Sequence, residues 1–224
     1  PYDGKIFLEE PYKLATSPNG NGGWFSSLKN AGLLDLIHEN GIEWLNVFAV
    51  DNVLQRIADP CFIGATITEN RSVGAKVVCK NHPDEKVGVM CLKDNHPSIV
   101  EYYELTPELR DAVDEDGEPA YNFGVILNYL FKESELEDIC ENTLPLHIVE
   151  KKIPYIDDAG TLIKPEEPNG YKFETLILDM IQMMDTCLPF EVERDKEFAP
   201  IKNKTGIDSV ESARALLAKN GVTL

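Results

Sequence analysis

Apolar and polar residues alternate along this chain with two periods, one typical of strands and one typical of helices. Ile42–Val50 is a nearly continuous apolar run, which is the pattern of a strand buried inside a parallel sheet. The preceding segment, Gly23–Glu39, has helical spacing and ends before a glycine-containing turn. A short helix is predicted to begin after Asp51 and to end before Pro60.

The remainder of the chain continues this interleaving of strands and helices. Strands are predicted over three ranges, namely Thr66–Lys80, Lys86–Leu92 and Ile99–Leu105. Helices are predicted over three further ranges, namely Glu133–Glu141, Tyr171–Leu188 and Asp208–Lys219. Because several neighbouring strands resemble hairpins, the order predicts an α/β fold in which a mixed sheet is flanked by helices.

The composition restricts the classes of partner. The chain has 224 residues, of which 43% are hydrophobic, enough for one large domain or one and a half small ones. Its net charge of -18 opposes binding to nucleic acid and to an anionic membrane surface. The same charge opposes a nucleotide triphosphate, so an anionic ligand would need locally gathered lysines or a divalent cation. No apolar run approaches the roughly 20 residues of a membrane helix.

The cysteines and histidines show no spacing typical of a disulfide framework or a metal site. The cysteines are odd in number and occur singly, at Cys61, Cys79, Cys91, Cys140 and Cys187. This pattern predicts reduced, buried thiols in a cytoplasmic protein. The four histidines have no ligand spacing, and no nucleophile motif occurs.

The first candidate site is the glycine-rich segment Ser17–Gly23. It contains three glycines within four residues directly before a predicted helix, where a backbone can approach a ligand closely and the helix N-terminus offers free N–H groups. An ordinary glycine-rich turn explains the same residues, and composition alone favours that explanation.

A second candidate is Asp51, at the carboxyl end of the predicted strand Ile42–Val50. Ligands of open α/β sheets bind at such strand ends, and a carboxylate there can hold a Mg2+ ion that bridges phosphates. The alternative role for Asp51 is to cap the next helix. Glu101, in a strand-like apolar segment, either accepts hydrogen bonds from sugar hydroxyls or faces water by alternation.

The third candidate is a set of lysines beside proline and glycine, comprising Lys151, Lys152, Lys172 and Lys202. Such lysines are usually solvated surface charges. In a chain this acidic they are also the cations that a polyphosphate could use.

A series of short motifs runs in a fixed order through almost the whole chain. The main ones are Pro18–Gly23, Val50–Asn52, Ala58–Pro60, Gly74–Val78, Val87–Val89, Val100–Tyr102, Lys151–Tyr155, Pro168–Gly170, Glu191-Val192, Glu197-Phe198 and Lys202-Asn203. Each motif is weak alone, but the ordered series resembles the eukaryotic-type UDP-N-acetylglucosamine pyrophosphorylases and their bacterial relatives.

The resemblance implies a GT-A-like nucleotidyltransferase core. Residues 1–198 would be the C-terminal portion of that core, and residues 199–224 its end and the start of a small C-terminal domain. The implied function is a uridylyltransferase that forms a UDP-sugar and pyrophosphate from UTP and a sugar 1-phosphate, either N-acetylglucosamine 1-phosphate or glucose 1-phosphate. The alternative is a non-catalytic sugar-nucleotide-binding fragment or a diverged, inactive homologue. The family's nucleotide loop, Gly-Gly-x-Gly-Thr-Arg-Leu-Gly, is expected upstream of Pro1.

The resemblance also implies a role for individual residues. Gly20 would contact uracil and Asn21 the ligand beside it, while Asp51 would serve UTP and its Mg2+. Gly88, Glu101 and Tyr102 would line the sugar pocket. Lys172 would bind the UTP phosphates and Lys202 the phosphate of the sugar. These roles predict that the glycine loop, Asp51, Lys172 and Lys202 face one cleft.

The chain departs from the family pattern in the sugar pocket. In the family's Asn-x-Gly-Asn-Ile pattern Asn122 fits, but Val125 replaces the Asn that contacts the sugar. Two family phenylalanines fall at Leu176 and Leu178. The departures predict weak discrimination in favour of the N-acetylated sugar, unless Asn122 or Asn128 contacts the sugar in place of residue 125.

Overall fold

The computed structural model describes residues 1–139 and 143–223. The strands in chain order are β1 (Leu8–Glu10), β2 (Lys13–Leu14), β3 (Trp44–Phe48), β4 (Val73–Cys79), β5 (Val89–Lys93), β6 (His96–Val100), β7 (Phe123–Lys132), β8 (His147–Lys151), β9 (Tyr155–Ile156), β10 (Leu162–Ile163), β11 (Gly170–Glu174) and β12 (Cys187–Glu191). The helices are α1 (Trp24–Asn30), α2 (Leu34–Glu39), α3 (Pro60–Thr68), α4 (Pro107–Arg110), α5 (Glu133–Ile139), α6 (Ile177–Gln182), α7 (Arg194–Glu197) and α8 (Val210–Lys219).

The described residues divide into two compact units. The first unit takes its residues from Pro1–Leu34 and Asn142–Met180, and the second from Asp35–Glu141 and Ile181–Leu224. The predicted boundary between residues 198 and 199 stays a prediction. None of the helices in the described part of the chain has the length and apolar character needed to cross a membrane.

The second unit contains a six-stranded mixed sheet in the order β12-β4-β7-β5-β6, with β3 also paired to β7. Only the β12–β4 pair of this sheet is parallel, and the pairs that β7 makes with β3, β4 and β5 are antiparallel. This confirms the predicted mixed sheet with helices. The prediction that Ile42–Val50 lies in a parallel arrangement is wrong, since β3 pairs antiparallel with β7 and is half-buried.

A bulge in β7 lets two different strands pair with one of its edges. Between Ala75 and Val77 of β4 the partner in β7 changes from Tyr129 to Val125, so β7 carries extra residues there. Leu127, inside the bulge, has a left-handed φ of 51°. β3 pairs with the residues after the bulge and β5 with those before it. The bulge thereby separates the loop after β3 from the edge formed by β5 and β6.

Helix α3 packs closely on β4, and the short helix predicted between Asp51 and Pro60 is wrong. The region between Asp51 and Pro60 is not helical. Instead Asp59 caps α3 by accepting a hydrogen bond from the Cys61 N–H at 3.1 Å, and Pro60 occupies the first turn. An added Cβ on Gly74 would lie 2.5 Å from Thr66 Oγ1, so only glycine permits this approach. The predicted strand Thr66–Lys80 is wrong in its first residues. Residues 66–68 belong to α3, and the strand observed here, β4, begins at Val73.

The final predicted helix is confirmed as α8. Ser209 caps it in a reciprocal capping box with Ser212. The buried Ala213 packs with Leu54 and Ala199, which fixes α8 against the segment that precedes it. Helix α5 confirms the predicted helix as far as Ile139, and its remaining residues, Cys140 and Glu141, lie outside the described residues.

The first unit contains small antiparallel sheets and short helices. β11 pairs with β8, and β9 forms a hairpin with β10. The predicted long helix Tyr171–Leu188 is wrong, because this range contains β11, α6 and the start of β12. The apolar residues that suggested a helix lie mainly in and around α6, where Ile177 and Met180 are buried. The predicted helix Gly23–Glu39 is broken into α1 and α2 at Gly32, whose φ is +71°.

Candidate functional site

In the first unit the glycine loop lies directly against the chain that follows β11. An added Cβ would lie 2.1 Å from the Thr175 carbonyl oxygen at Gly20, and 2.8 Å from the Leu176 nitrogen at Gly22. The Gly22 N–H donates to the Thr175 carbonyl at 2.9 Å, and the Thr175 N–H donates to Asn19 at 2.7 Å. Close packing against its own chain therefore explains two of these glycines without a ligand.

Asn21 has a structural role in the same unit. Its side-chain oxygen accepts a hydrogen bond from the Ile177 N–H at 2.9 Å, at the start of α6. In the first turn of that helix the buried Asp179 carboxylate lies 2.8 Å from Nε2 of His147. These contacts connect the glycine loop, α6 and β8. Asn21 is exposed, so its amide nitrogen is the group left to contact a ligand.

Lys172 is engaged by a neighbouring carboxylate. Its ammonium group lies 2.5 Å from Glu174, on the same face of β11, and both side chains are mostly buried. Lys172 also lines a cavity of about 520 Å3 together with Phe7, Ser17 and Ile153. For Lys172 to bind a phosphate there, the ligand must compete with Glu174.

In the second unit, Asp51 and Lys202 lie on two segments that pair with each other. The Ile201 N–H donates to the Asp51 carbonyl at 2.9 Å, and the Val53 N–H donates to Ala199 at 3.2 Å. Lys202 directly follows Ile201, and its backbone N–H is fixed by the Asp208 carbonyl at 2.7 Å. The structure therefore brings the predicted metal-binding carboxylate and the predicted phosphate-binding lysine into one neighbourhood.

Asp51 and Lys202 differ in their exposure to solvent. Asp51 is half-buried, whereas Lys202 is exposed and forms no ion pair within the described residues. Asp51 does not cap a helix, because the helix that follows it along the chain is capped by Asp59. Lys202 is thus an exposed cation on a segment that pairs with the segment of Asp51, in a chain with a net charge of -18.

A buried set of polar side chains lies beneath this pair of segments. Lys76 of β4 donates to Asp59 at 2.9 Å and to Glu197 at 2.5 Å, and all three side chains are almost completely inaccessible. Asn52 donates to the Glu197 carbonyl and accepts from the Ala199 N–H, each at 2.7 Å. Burial works to raise the pKa of Asp59, but the hydrogen bonds from Lys76 and the Cys61 amide outweigh it and lower that pKa.

Three predicted sugar-pocket residues converge at the edge formed by β5, β6 and β7. An added Cβ on Gly88 would lie 3.3 Å from Val125 Cγ2 and 3.6 Å from Glu101 Oε1. The Val125 N–H donates to the Gly88 carbonyl at 2.9 Å. The structure therefore brings Gly88, Glu101 and Val125 close together, and an added Cβ at position 88 would press against Val125.

Other residues of the predicted pocket have different surroundings. The side-chain oxygen of Asn122 accepts from the Lys80 N–H at 2.9 Å, so this oxygen already has a partner. Tyr102 is exposed, and its ring lies edge-on to Tyr103. Asn128 is fully buried, accepting from Asn46 at 2.8 Å and donating to Gln55 at 2.7 Å. Asn128 is therefore part of the interior and does not offer its amide to a sugar.

Arg194 has a supporting role that the sequence did not reveal. Its guanidinium donates to both carboxylate oxygens of Glu85, at 2.8 and 2.9 Å, and to the Cys79 carbonyl at 3.2 Å. Glu85 lies three residues before Gly88, so this ion pair, made by the Nη2 nitrogen of Arg194, holds the loop that leads to Gly88.

The thiols and histidines differ partly from the prediction. The described cysteines are free, but Cys61 and Cys79 are exposed rather than buried, and Cys140 lies outside the described residues. Burial raises the pKa of the Cys187 thiol to about 12. His38 lies 3.0 Å from Glu133 and 3.5 Å from Glu137, contacts between distant parts of the chain that sequence spacing could not show. The hydrogen bond with Glu133 raises the pKa of His38.

These sites belong to a chain with clear relatives. The model of the UTP–glucose-1-phosphate uridylyltransferase family matches residues 3–223. The chain belongs to this family. The resemblance to the UDP-N-acetylglucosamine pyrophosphorylases is confirmed as well, because proteins similar to this chain are named UDP-N-acetylglucosamine pyrophosphorylase.

Two curated relatives and one solved structure illustrate the similarity. UDP-N-acetylhexosamine pyrophosphorylase-like protein 1 of Mus musculus is 40% identical over 98% of this chain and 44% of its own length. UDP-N-acetylglucosamine pyrophosphorylase of Saccharomyces cerevisiae is 38% identical over 98% of this chain and 48% of its own length. A crystal structure assigned as a UDP-N-acetylglucosamine pyrophosphorylase of Entamoeba histolytica matches with a TM-score of 0.90 and 35% identity, over 97% of this chain and 55% of that one. The chain spans about half the length of these relatives.

The structure thus sorts the predicted site residues into two groups by unit. Asp51 with Lys202, and Gly88 with Glu101 and Val125, come together within the second unit. Gly20, Asn21 and Lys172 lie in the first unit, where each contacts another part of that unit. A single cleft shared by all of these residues stays a prediction.

Proposed function

We propose that the protein containing this chain is a uridylyltransferase that forms a UDP-sugar and pyrophosphate from UTP and a sugar 1-phosphate. Family membership supports the reaction class. Within the structure, the observation that carries the proposal is the pairing of the Asp51 and Ile201 backbones, which brings the segment of Asp51 next to the segment of Lys202. That combination suits a metal-bound nucleotide on one side and a phosphate monoester on the other.

The residues present fit a Mg2+ ion. Mg2+ is usually held by one or two carboxylates together with substrate phosphates, and Asp51 offers a carboxylate of this kind. When bound, the ion would neutralise phosphate charge, which a protein of net charge -18 cannot do by its overall field. The Asp51 carboxylate therefore suits a Mg2+ ion that binds together with the phosphates of UTP.

The reaction we propose is a direct displacement at phosphorus. An oxygen of the sugar phosphate attacks the α-phosphorus of UTP, the bond to the β-phosphate oxygen breaks, and pyrophosphate leaves. No proton transfer by a side chain is needed, so the work of the protein is positioning and charge stabilisation. Lys202 binds the sugar phosphate, and Lys172 binds the UTP phosphates after leaving Glu174.

The sugar is held at the second unit's β5–β6–β7 edge. Glu101 accepts hydrogen bonds from sugar hydroxyls, and the absence of a side chain on Gly88 lets the sugar approach the backbone there. Val125 offers only methyl groups where the resemblance places an amide. We therefore propose N-acetylglucosamine 1-phosphate and glucose 1-phosphate as the two sugar substrates.

The test is turnover of the full-length protein. Pyrophosphate release is measured with UTP, Mg2+ and a panel of sugar 1-phosphates. Asp51→Asn should lower turnover strongly because an amide is a poor Mg2+ ligand, whereas Asp94→Asn, in an exposed turn, should not. Binding of a UDP-sugar without any turnover would instead support a non-catalytic binding protein.

A further inference from the structure

The buried lysine of β4 needs an explanation beyond stability. The Lys76 side chain has no exposed surface, and its ammonium group lies 5.5 Å from the centre of the Phe62 ring. Taking a charged group out of water is costly, and a buried ion pair is often no more stabilising than an apolar replacement. A buried cation is therefore better explained by the geometry that it imposes on its partners.

Its two partners belong to the two segments that carry the candidate phosphate site. Asp59 ends the segment that begins at Asp51, and Glu197 begins the segment that leads to Lys202. Lys76 contacts both carboxylates at once, at 2.9 and 2.5 Å. The two segments are thus joined through Lys76, in addition to the backbone hydrogen bonds between them and the two hydrogen bonds of Asn52.

We propose that Lys76 is a positioning residue for the phosphate end of the site, which sets the separation of Asp51 and Lys202 by joining Asp59 to Glu197. The proposal rests on the proposed function for its catalytic consequence. Its structural part, the joining of the two segments, does not depend on any substrate.

The second cation near these carboxylates cannot replace Lys76. The Arg56 guanidinium lies 3.9 Å from Asp59 and 3.6 Å from Glu197, and its side chain is 60% exposed. An exposed pair of this length is screened by water and contributes little. Arg56 does balance the charge, because two carboxylates and two cations leave the set neutral.

The first experiment compares Lys76→Met with Lys132→Met in the full-length protein. Lys132 lies in the same sheet but at its surface, so it controls for loss of a lysine. Displacing reacting groups by about 1 Å can cost on the order of 10²-fold in rate, so Lys76→Met should lower kcat by about that factor. Hydrogen exchange of the segment around Ile201, measured by mass spectrometry, should accelerate in Lys76→Met but not in Lys132→Met. Wild-type kcat or unchanged exchange in Lys76→Met would overturn the proposal.

A second variant separates positioning from charge balance. Lys76→Met leaves an unpaired carboxylate and can fail to fold, whereas Lys76→Met with Glu197→Gln keeps the buried set neutral and should recover the melting temperature. Because the connection through Lys76 is still missing, kcat should stay at least about tenfold low and exchange around Ile201 should stay fast. If stability and kcat recover together, Lys76 only balances charge and the proposal is wrong.

The two proposals fail in different ways. A wild-type protein with no turnover for any sugar 1-phosphate contradicts the proposed function. In that case, hydrogen exchange around Ile201 in Lys76→Met still tests whether Lys76 joins the two segments. Normal wild-type turnover, with no effect in either Lys76 variant, contradicts only the positioning role.

Discussion

The two units of the chain use their predicted ligand residues differently. In the first unit, Lys172 pairs with Glu174, and Asn21 accepts from the start of α6. In the second unit, Lys202 has no ion-pair partner within the described residues, and Gly88 lies close to Glu101 and Val125. The family motifs of the first unit can therefore be explained by contacts within the chain, whereas those of the second unit are better explained by an expected ligand.

The largest expected effect tests the structural explanation of the glycine loop. Gly20→Ala should destabilise the protein by about 4 kcal/mol or more, because its Cβ would lie 2.1 Å from the Thr175 carbonyl oxygen at a φ of +89°. Gly32→Ala is the control, since Gly32 has a φ of +71° but no atom within 4 Å of the added Cβ. It should cost only the left-handed backbone strain, about 1–2 kcal/mol. Urea unfolding measures both, and equal losses would mean that Thr175 does not constrain the loop.

The next effect tests whether the free cation of the second unit is functional. Lys202→Ala in the full-length protein should weaken transition-state stabilisation by roughly 2–4 kcal/mol, seen as a lower kcat/KM for the sugar 1-phosphate. Unfolding should not change, because the Lys202 side chain is exposed. Lys204→Ala, an exposed lysine two residues away, should keep wild-type kinetics. Equal kinetics in the two variants would remove Lys202 from the site.

The sequence could predict the α/β class and the final helix, because these depend on local patterns. Ser209 and the apolar spacing after it suffice for α8. Lys76, an isolated charge inside the apolar run Gly74–Val78, is itself a signal of a buried ionic partner. Its partners Asp59 and Glu197 could not be identified, since they lie 17 and 121 residues away.

The errors arise where distant pairing overrides local pattern. Tyr171–Glu174 lies within an apparent helix, yet it is a strand because β8 pairs with it. β3 looks like a parallel strand because it is apolar, but the antiparallel partner β7 comes from more than 80 residues later. Asn128 is a plausible sugar ligand by sequence position, but burial and its hydrogen bonds with Asn46 and Gln55 place it in the interior.

A smaller effect concerns the choice of sugar. Val125→Asn restores an amide where the resemblance places one, and the amide would border Gly88 and Glu101. A satisfied polar contact in place of an unsatisfied one is worth roughly 1–3 kcal/mol, so preference for N-acetylglucosamine 1-phosphate over glucose 1-phosphate should rise about tenfold or more. Val125→Leu is the control that changes size without adding polarity. A strong wild-type preference that Val125→Asn does not alter would show that this residue does not set specificity.

The smallest expected effect tests whether Lys172 is held back by its own chain. Glu174→Gln removes the carboxylate that lies 2.5 Å from the Lys172 ammonium, so the cation becomes free for a phosphate. Partly exposed pairs contribute about 1 kcal/mol or less, which limits the expected fall in the KM for UTP to roughly fivefold. Glu150→Gln, on the neighbouring strand β8, removes the same charge without freeing Lys172. If both variants lower KM equally, the effect is one of net charge. If Glu174→Gln leaves KM unchanged, Lys172 does not bind UTP. The position of Lys172 is then explained by its contacts within the chain alone, as the positions of Gly20 and Gly22 are.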